Sequence, residues 1–359
     1  MPRLVLLIGV AGLGLAALLR PAAAQDMTTA TVNGTTIWVG GGVQFLSLPD
    51  IKFTGIGNPS NFRLQKNSEG DWLDFGPAVG GGFETGLGLW GSTRVTIGAK
   101  GFFSNIETDN TTNCSIGCVV IDPATGFLQN GSTLRTKTSR DADYWGGQAE
   151  MKFGRAEPVY EKPNFYRNDY FIIGADVRGI DQDNTLRGRA FSGLDVFTYR
   201  ETLDTTYTGG YIGVGGEYSF GFIPFLGSAV KGVGGIYDRL GLRTFINLKA
   251  GLYNADTDYT GRFSFNDTPI STNSRISQSS DDLAFIGTVS LETRKQIGAR
   301  TSLSLWTDYE YISSVPEMRY NNGSSRVTRI DDDSVFASRT MLRLNIGFGS
   351  SELYQEPLK

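Results

Sequence analysis

Arg243–Asn254 reads RTFINLKAGLYN. Ile246, Leu248, Ala250 and Leu252 recur at every second position, while Arg243, Asn247 and Lys249 fall between them. Side chains of a strand alternate between two faces, so this is the period of a β-strand and not the three-and-four spacing of a helix. The run is also long. Strands that cross a membrane at a tilt need about 9–11 residues, whereas ordinary globular strands average about 5–6.

Working outward, the same alternation recurs in ten segments: 36–46, 75–86, 92–104, 142–154, 168–179, 206–220, 242–254, 282–294, 301–312 and 336–348. The connections alternate in length. Long ones lie at 47–74, 105–141, 180–205, 255–281 and 313–335; shorter ones lie at 87–91, 155–167, 221–241 and 295–300. Long outer loops and short periplasmic turns are the asymmetry of an outer-membrane barrel. The pattern predicts an all-β fold, a closed antiparallel transmembrane β-barrel of about ten strands, with both ends on the periplasmic side. If the 221–241 connection hides a hairpin, the count is twelve. Pro77 lacks a ladder donor inside the second segment, and a bulge is expected there.

The last segment carries a resemblance. MLRLNIGF, Met341–Phe348, places Leu342, Leu344, Ile346 and Phe348 on one face and ends on an aromatic. It resembles the terminal strand of Gram-negative outer-membrane β-barrels, the porin-like and small surface-barrel class. The resemblance implies that outer-membrane assembly machinery reads this strand, and that the barrel meets outer-membrane lipid and lipopolysaccharide.

The chain opens with Met1-Pro2-Arg3, an apolar run Leu4–Leu19 and Ala22-Ala23-Ala24. That layout predicts a cleaved signal peptide over 1–24 and export to the outer membrane. A periplasmic segment at 25–35, the barrel at 36–348 and a periplasmic tail at 349–359 complete the expected organisation. Glycine is 47 of 359 residues and aromatics are 12%, and both suit curved strands and interfacial belts. The net charge of −4 gives no basic footprint for nucleic acid.

Histidine is absent from the sequence. Outer-membrane enzymes that use a histidine base are therefore excluded, and the commonest metal ligand is missing. No catalytic residue, metal site or cofactor is expected. Cys114 and Cys118 are the only cysteines, and in an oxidising compartment they are expected to form a disulfide. Asp331-Asp332-Asp333 and Asp281-Asp282 offer oxygen ligands for calcium, or for a divalent bridge to lipopolysaccharide, but they lack EF-hand spacing and a solvated acidic loop is the better reading.

The polar parity of the ten segments carries charges of both signs in near balance. The acids are Glu84, Glu150, Asp176, Glu217, Asp282, Glu292, Asp308 and Glu310. The bases are Arg94, Lys100, Lys152, Arg178, Arg243, Lys249, Arg294, Arg339 and Arg343. In a closed barrel this parity faces the lumen. Either the charges pair and fill it, or they line a narrow wet passage. The first functional expectation is a narrow porin-like channel for small solutes or ions. The alternative is a structural or surface-interaction barrel acting through its extracellular loops. A histidine-independent enzyme is the remaining reading.

Overall fold

The computed structural model describes residues 34–58, 61–67, 74–115, 117–122, 128–131, 133–156, 160–162, 165–219, 242–267, 270–298, 300–319 and 328–349. The expected signal peptide, the 221–241 connection and all but the first residue of the 349–359 tail lie outside the described residues. The strands run in order β1 (Gly34–Leu46), β2 (Thr54–Asn58), β3 (Asn61–Gln65), β4 (Phe75–Trp90) and β5 (Thr93–Cys114). Next come β6 (Cys118–Ile121), β7 (Leu128–Gly131), β8 (Leu134–Arg155), β9 (Tyr160–Lys162) and β10 (Phe165–Arg189). The last are β11 (Asp195–Ser219), β12 (Leu242–Asp267), β13 (Ile270–Gly298), β14 (Thr301–Arg319) and β15 (Arg329–Gly349).

Ten of these form one antiparallel ring: β1, β4, β5, β8, β10, β11, β12, β13, β14 and β15, each paired with the next. β15 closes on β1 from Gly34↔Gly349 to Leu46↔Ala337. The count is ten, not twelve, and both ends of the ring leave on the same side. Apolar residues of one parity face outward: Val39, Val79, Ile173, Ile212, Leu252, Leu283 and Leu305 are all exposed, as are Leu342, Leu344, Ile346 and Phe348. Water would penalise so large an apolar belt, and acyl chains would not. The chain is an all-β, closed antiparallel barrel of the outer-membrane type.

The ladders run further out than the alternation suggested. β10 pairs with β11 from Arg167↔Tyr218 to Arg189↔Asp195, so most of the expected connection 180–205 is strand, turned over at 190–194. β12 and β13 stay paired to Asp267↔Ile270, and β14 and β15 to Arg319↔Arg329. The long outer connections at 47–74 and 115–133 remain. The extension escaped the sequence because no lipid touches it. Asp183 and Arg187 face outward there, while Gln182, Asn184 and Leu186 stay buried, so the outward parity turns polar and the apolar alternation fades.

Pro77 sits in unbroken register with Val43. The ladder to β5 begins one residue later, at Ala78, so the missing N–H costs no bond on that side. The irregularity expected at Pro77 lies instead between Gly86 and Gly88.

Parts of the two long outer connections build a second sheet, ordered β3-β2-β6-β7. It caps the outer mouth. Phe53 is fully buried and stacks on Tyr199, 4.5 Å between ring centres, beside Phe197 and Phe263 of the wall. The buried Asn67 side chain accepts from the Phe53 and Thr54 amides at 2.7 and 2.8 Å and donates to the Thr54 hydroxyl at 2.8 Å. Cys114, at the end of β5, is disulfide-bonded to Cys118, at the start of β6, so the cap is tied covalently to the wall.

Candidate functional site

The lumen is the natural place to look, because every charge expected there sits on the inward parity. At mid-height Arg178 is the hub. Its Nε and Nη2 donate to Asp176 at 2.9 and 2.6 Å, and its Nη1 donates to Glu310 at 2.9 Å from across the barrel. Tyr144 donates to Glu310 at 2.6 Å. Arg339 pairs with Asp308 at 3.0 Å and lies 3.8 Å from Glu310. These side chains are buried, so each charge depends on its partner.

Aromatic rings fill what the ion pairs leave. The Arg343 guanidinium lies 3.8 Å from the Trp38 ring centre and 3.3 Å from that of Trp306. Arg339 lies 3.4 Å from Phe102, and the Lys100 ammonium 4.7 Å from Trp306. A ring face attracts a cation electrostatically, so these stacks help seat the charges beside their ion pairs. The sequence reading missed these rings as lumen residues. The available signal was parity: Trp306 stands two residues before Asp308, and Phe102 two after Lys100, on the charged face.

Just outside this layer the lumen is apolar. Ile106, Tyr144, Ile180, Tyr207, Ile312, Val315 and Val335 belong to one buried cluster that draws on strands all round the ring. A cavity between Trp38, Lys100, Phe102, Arg178, Trp306 and Arg339 lies in the charged layer.

Toward the periplasmic end the interior is less tightly closed. Lys152 bridges Glu84 and Glu150, and Lys249 also meets Glu150. Arg294 pairs with Glu292 at 2.8 Å, with Arg343 at 3.9 Å on the other oxygen. Glu217 lies within electrostatic reach of Arg243, Arg294 and Arg94. Glu84, Arg94, Glu217, Arg243, Glu292, Arg294 and Arg343 are therefore neighbours in one inner region, although Glu84 takes Lys152 as its ion-pair partner. Asp282 stands apart, near the outer end, and accepts from Ser280 at 2.7 Å.

The outer mouth, beyond the apolar belt, holds carboxyls with shifted ionisation. Burial pushes Glu201 up from its ordinary value, opposed by hydrogen bonds that include Asn184 at 2.9 Å and by the charge of Arg140. Burial also raises Glu317 and Asp332. A carboxyl with a raised folded-state pKa holds its proton longer in the folded chain than in the unfolded one. Stability of this end therefore falls as pH rises from the ordinary carboxylate range into the raised one. Denaturant midpoints at about pH 5 and about pH 8 should show Glu201→Gln losing less stability on the rise in pH than wild type does. Equal differences in the two proteins would refute this assignment.

No family model matches the chain, and no curated protein matches it. Among solved structures it is similar to the outer-membrane protease OmpT from Escherichia coli, at 9% identity over 90% of this chain and 100% of that one, with a TM-score of 0.42. It is also similar to a Pseudomonas aeruginosa FadL homologue, at 5% identity over 89% and 90%, TM-score 0.26. The toluene transporter TodX of P. putida matches at 6% identity over 88% and 90%, TM-score 0.20. None of these likenesses bears on the activity of this chain.

Proposed function

We propose that this chain is a closed, non-conducting barrel of the Gram-negative outer membrane that acts through its extramembrane wall and cap. The observation that carries this reading is the crowded mid-lumen, where Arg178, Arg339 and Arg343 are paired or stacked and Tyr144, Met341 and Ile312 are 0% exposed. Ten strands suit such crowding, since side chains just fill a barrel of about eight strands and leave a channel at about sixteen. The outward apolar belt and the Leu342–Phe348 terminal strand support insertion by the outer-membrane assembly machinery. The absence of histidine speaks against hydrolytic chemistry that relies on a histidine base.

Planar-bilayer recording of the refolded chain tests the reading. The expected result is no steady single-channel conductance above the bare bilayer. A reproducible open level that scales with salt concentration would overturn it, and the narrow porin-like channel would take its place.

A further inference from the structure

Outward-facing residues of the extramembrane wall are sorted by charge into two rows. On β10, moving away from the bilayer, the outward parity reads Val177, Gly179, Asp181, Asp183, Thr185, Arg187. β8 reads Trp145, Asp143, Asp141, Ser139, Lys137. β12 reads Asn254, Asp256, Asp258, Thr260, Arg262, and β13 reads Leu283, Asp281, Ser279, Ser277, Arg275. β11 supplies Asp204, Thr202 and Arg200. In each strand acid comes first, then hydroxyl, then base.

The ladder sets like charge against like. Asp143 faces Asp181, which faces Asp204, which faces Asp258. In the outer row Lys137 faces Arg187, and Arg200 faces Arg262, which faces Arg275. Like charges directly opposite one another destabilise a sheet, so the barrel itself gains nothing from this order. The basic row is exposed throughout. Lys137 reaches Asp109 at 2.9 Å, while Arg187, Arg200, Arg262 and Arg275 have no carboxylate within ion-pair distance among the described residues.

Height narrows the partner. Lys137 and Arg275 stand eight residues beyond Trp145 and Leu283. At ~3.4 Å per residue and a tilt of ~40°, that is roughly 20 Å above the last apolar residue. A phospholipid headgroup layer is only about 6 Å deep. By the same conversion Asp143 and Asp281, two residues beyond Trp145 and Leu283, lie at that headgroup level, the other acids stand above it, and the bases project sideways at the height of whatever sugars extend from the leaflet.

We propose that the basic row is a docking surface for the phosphate- and carboxylate-bearing sugars of glycolipids in the leaflet surrounding the barrel. The inference rests on the outer-membrane reading above and names the partner of its extramembrane wall. The acids keep anionic headgroups from settling against the lower wall, and the bases gather the anionic sugars above them.

The test titrates the full chain in neutral detergent with purified lipopolysaccharide carrying a phosphorylated core, and with its lipid part stripped of core sugars. The comparison variant is K137Q/R187Q/R200Q/R262Q/R275Q, whose exposed positions leave the folded, heat-modifiable band unchanged. Wild type should bind the core-bearing form at least about tenfold more tightly than the variant does, with an advantage that shrinks at high salt. Equal affinity of variant and wild type, or equally tight binding of the sugar-free lipid, overturns the proposal. Labelling of Ser279→Cys in intact cells by a membrane-impermeant maleimide checks the placement separately. Labelling with unaltered variant affinity refutes the docking alone. Absence of labelling refutes the outward orientation on which both readings stand.

Discussion

Arg178→Met should destabilise the folded barrel by about 3–5 kcal/mol, the usual cost of breaking a buried ion pair by removing one partner. Arg178 holds two carboxylates from different strands, Asp176 on its own strand and Glu310 on β14, and its side chain is 5% exposed. Methionine matches much of the stem but leaves both carboxylates in a buried site. Glu310 keeps the Tyr144 hydroxyl and a distant Arg339, while Asp176 loses its ion pair. Urea or guanidinium midpoints of the lipid-reconstituted protein give the measurement. Adding Asp176→Asn to Arg178→Met should recover part of the loss, because the uncompensated charge is then gone. A change below about 1 kcal/mol would mean that the level is wet, as an exposed pair is worth only that much. That result would also weaken the non-conducting reading.

Gly42→Val should block assembly of the barrel, while Gly41→Val should leave it intact. Both glycines lie on β1 at the seam where the ring closes on β15. A Cβ on Gly42 would come within 1.9 Å of the Thr340 carbonyl oxygen and 2.7 Å of the Met341 Cα. Those are backbone atoms of the closing strand, so the ladder itself would have to shift. Ordinary overpacking costs about 1–3 kcal/mol where side chains can give way, and here they cannot. On Gly41 the nearest atom is the Ala78 carbonyl oxygen at 3.7 Å, an ordinary contact, and the side chain would point to lipid. Heat-modifiable mobility of refolded protein reads the outcome. Wild-type folding of Gly42→Val, or failure of Gly41→Val, would show that the seam is not held by this close approach.

The two glycines also show where sequence reasoning stops. Their neighbours Val39 and Val43 set the face of the strand by alternation alone, but nothing local says that one glycine meets a backbone and the next meets lipid. The partner strand is about three hundred residues away, and only closure of the ring brings it there.

Alternation over Arg243–Asn254 and its nine counterparts determined the bilayer-spanning strands, a ring of ten or twelve, and the inward parity of the charges assigned to the lumen. It could do so because a bilayer forces apolar residues onto one face for the whole width of the hydrocarbon. The compartment and the short spacing likewise made the Cys114–Cys118 bond legible. Tertiary structure decided the rest. The strands continue past the bilayer on residues that no lipid selects, so Asp181–Arg187 carried no apolar signal. Whether the inward charges line water or fill space depends on distances across the barrel, such as Arg178 to Glu310, which no local pattern encodes. Trp38, Phe102 and Trp306 occupy the gaps between those charges, and their stacking on Arg339 and Arg343 exists only once β1, β5, β14 and β15 have curled into one ring. The acidic and basic rows, too, are scattered single residues along the chain, and become rows because the ladder register aligns them.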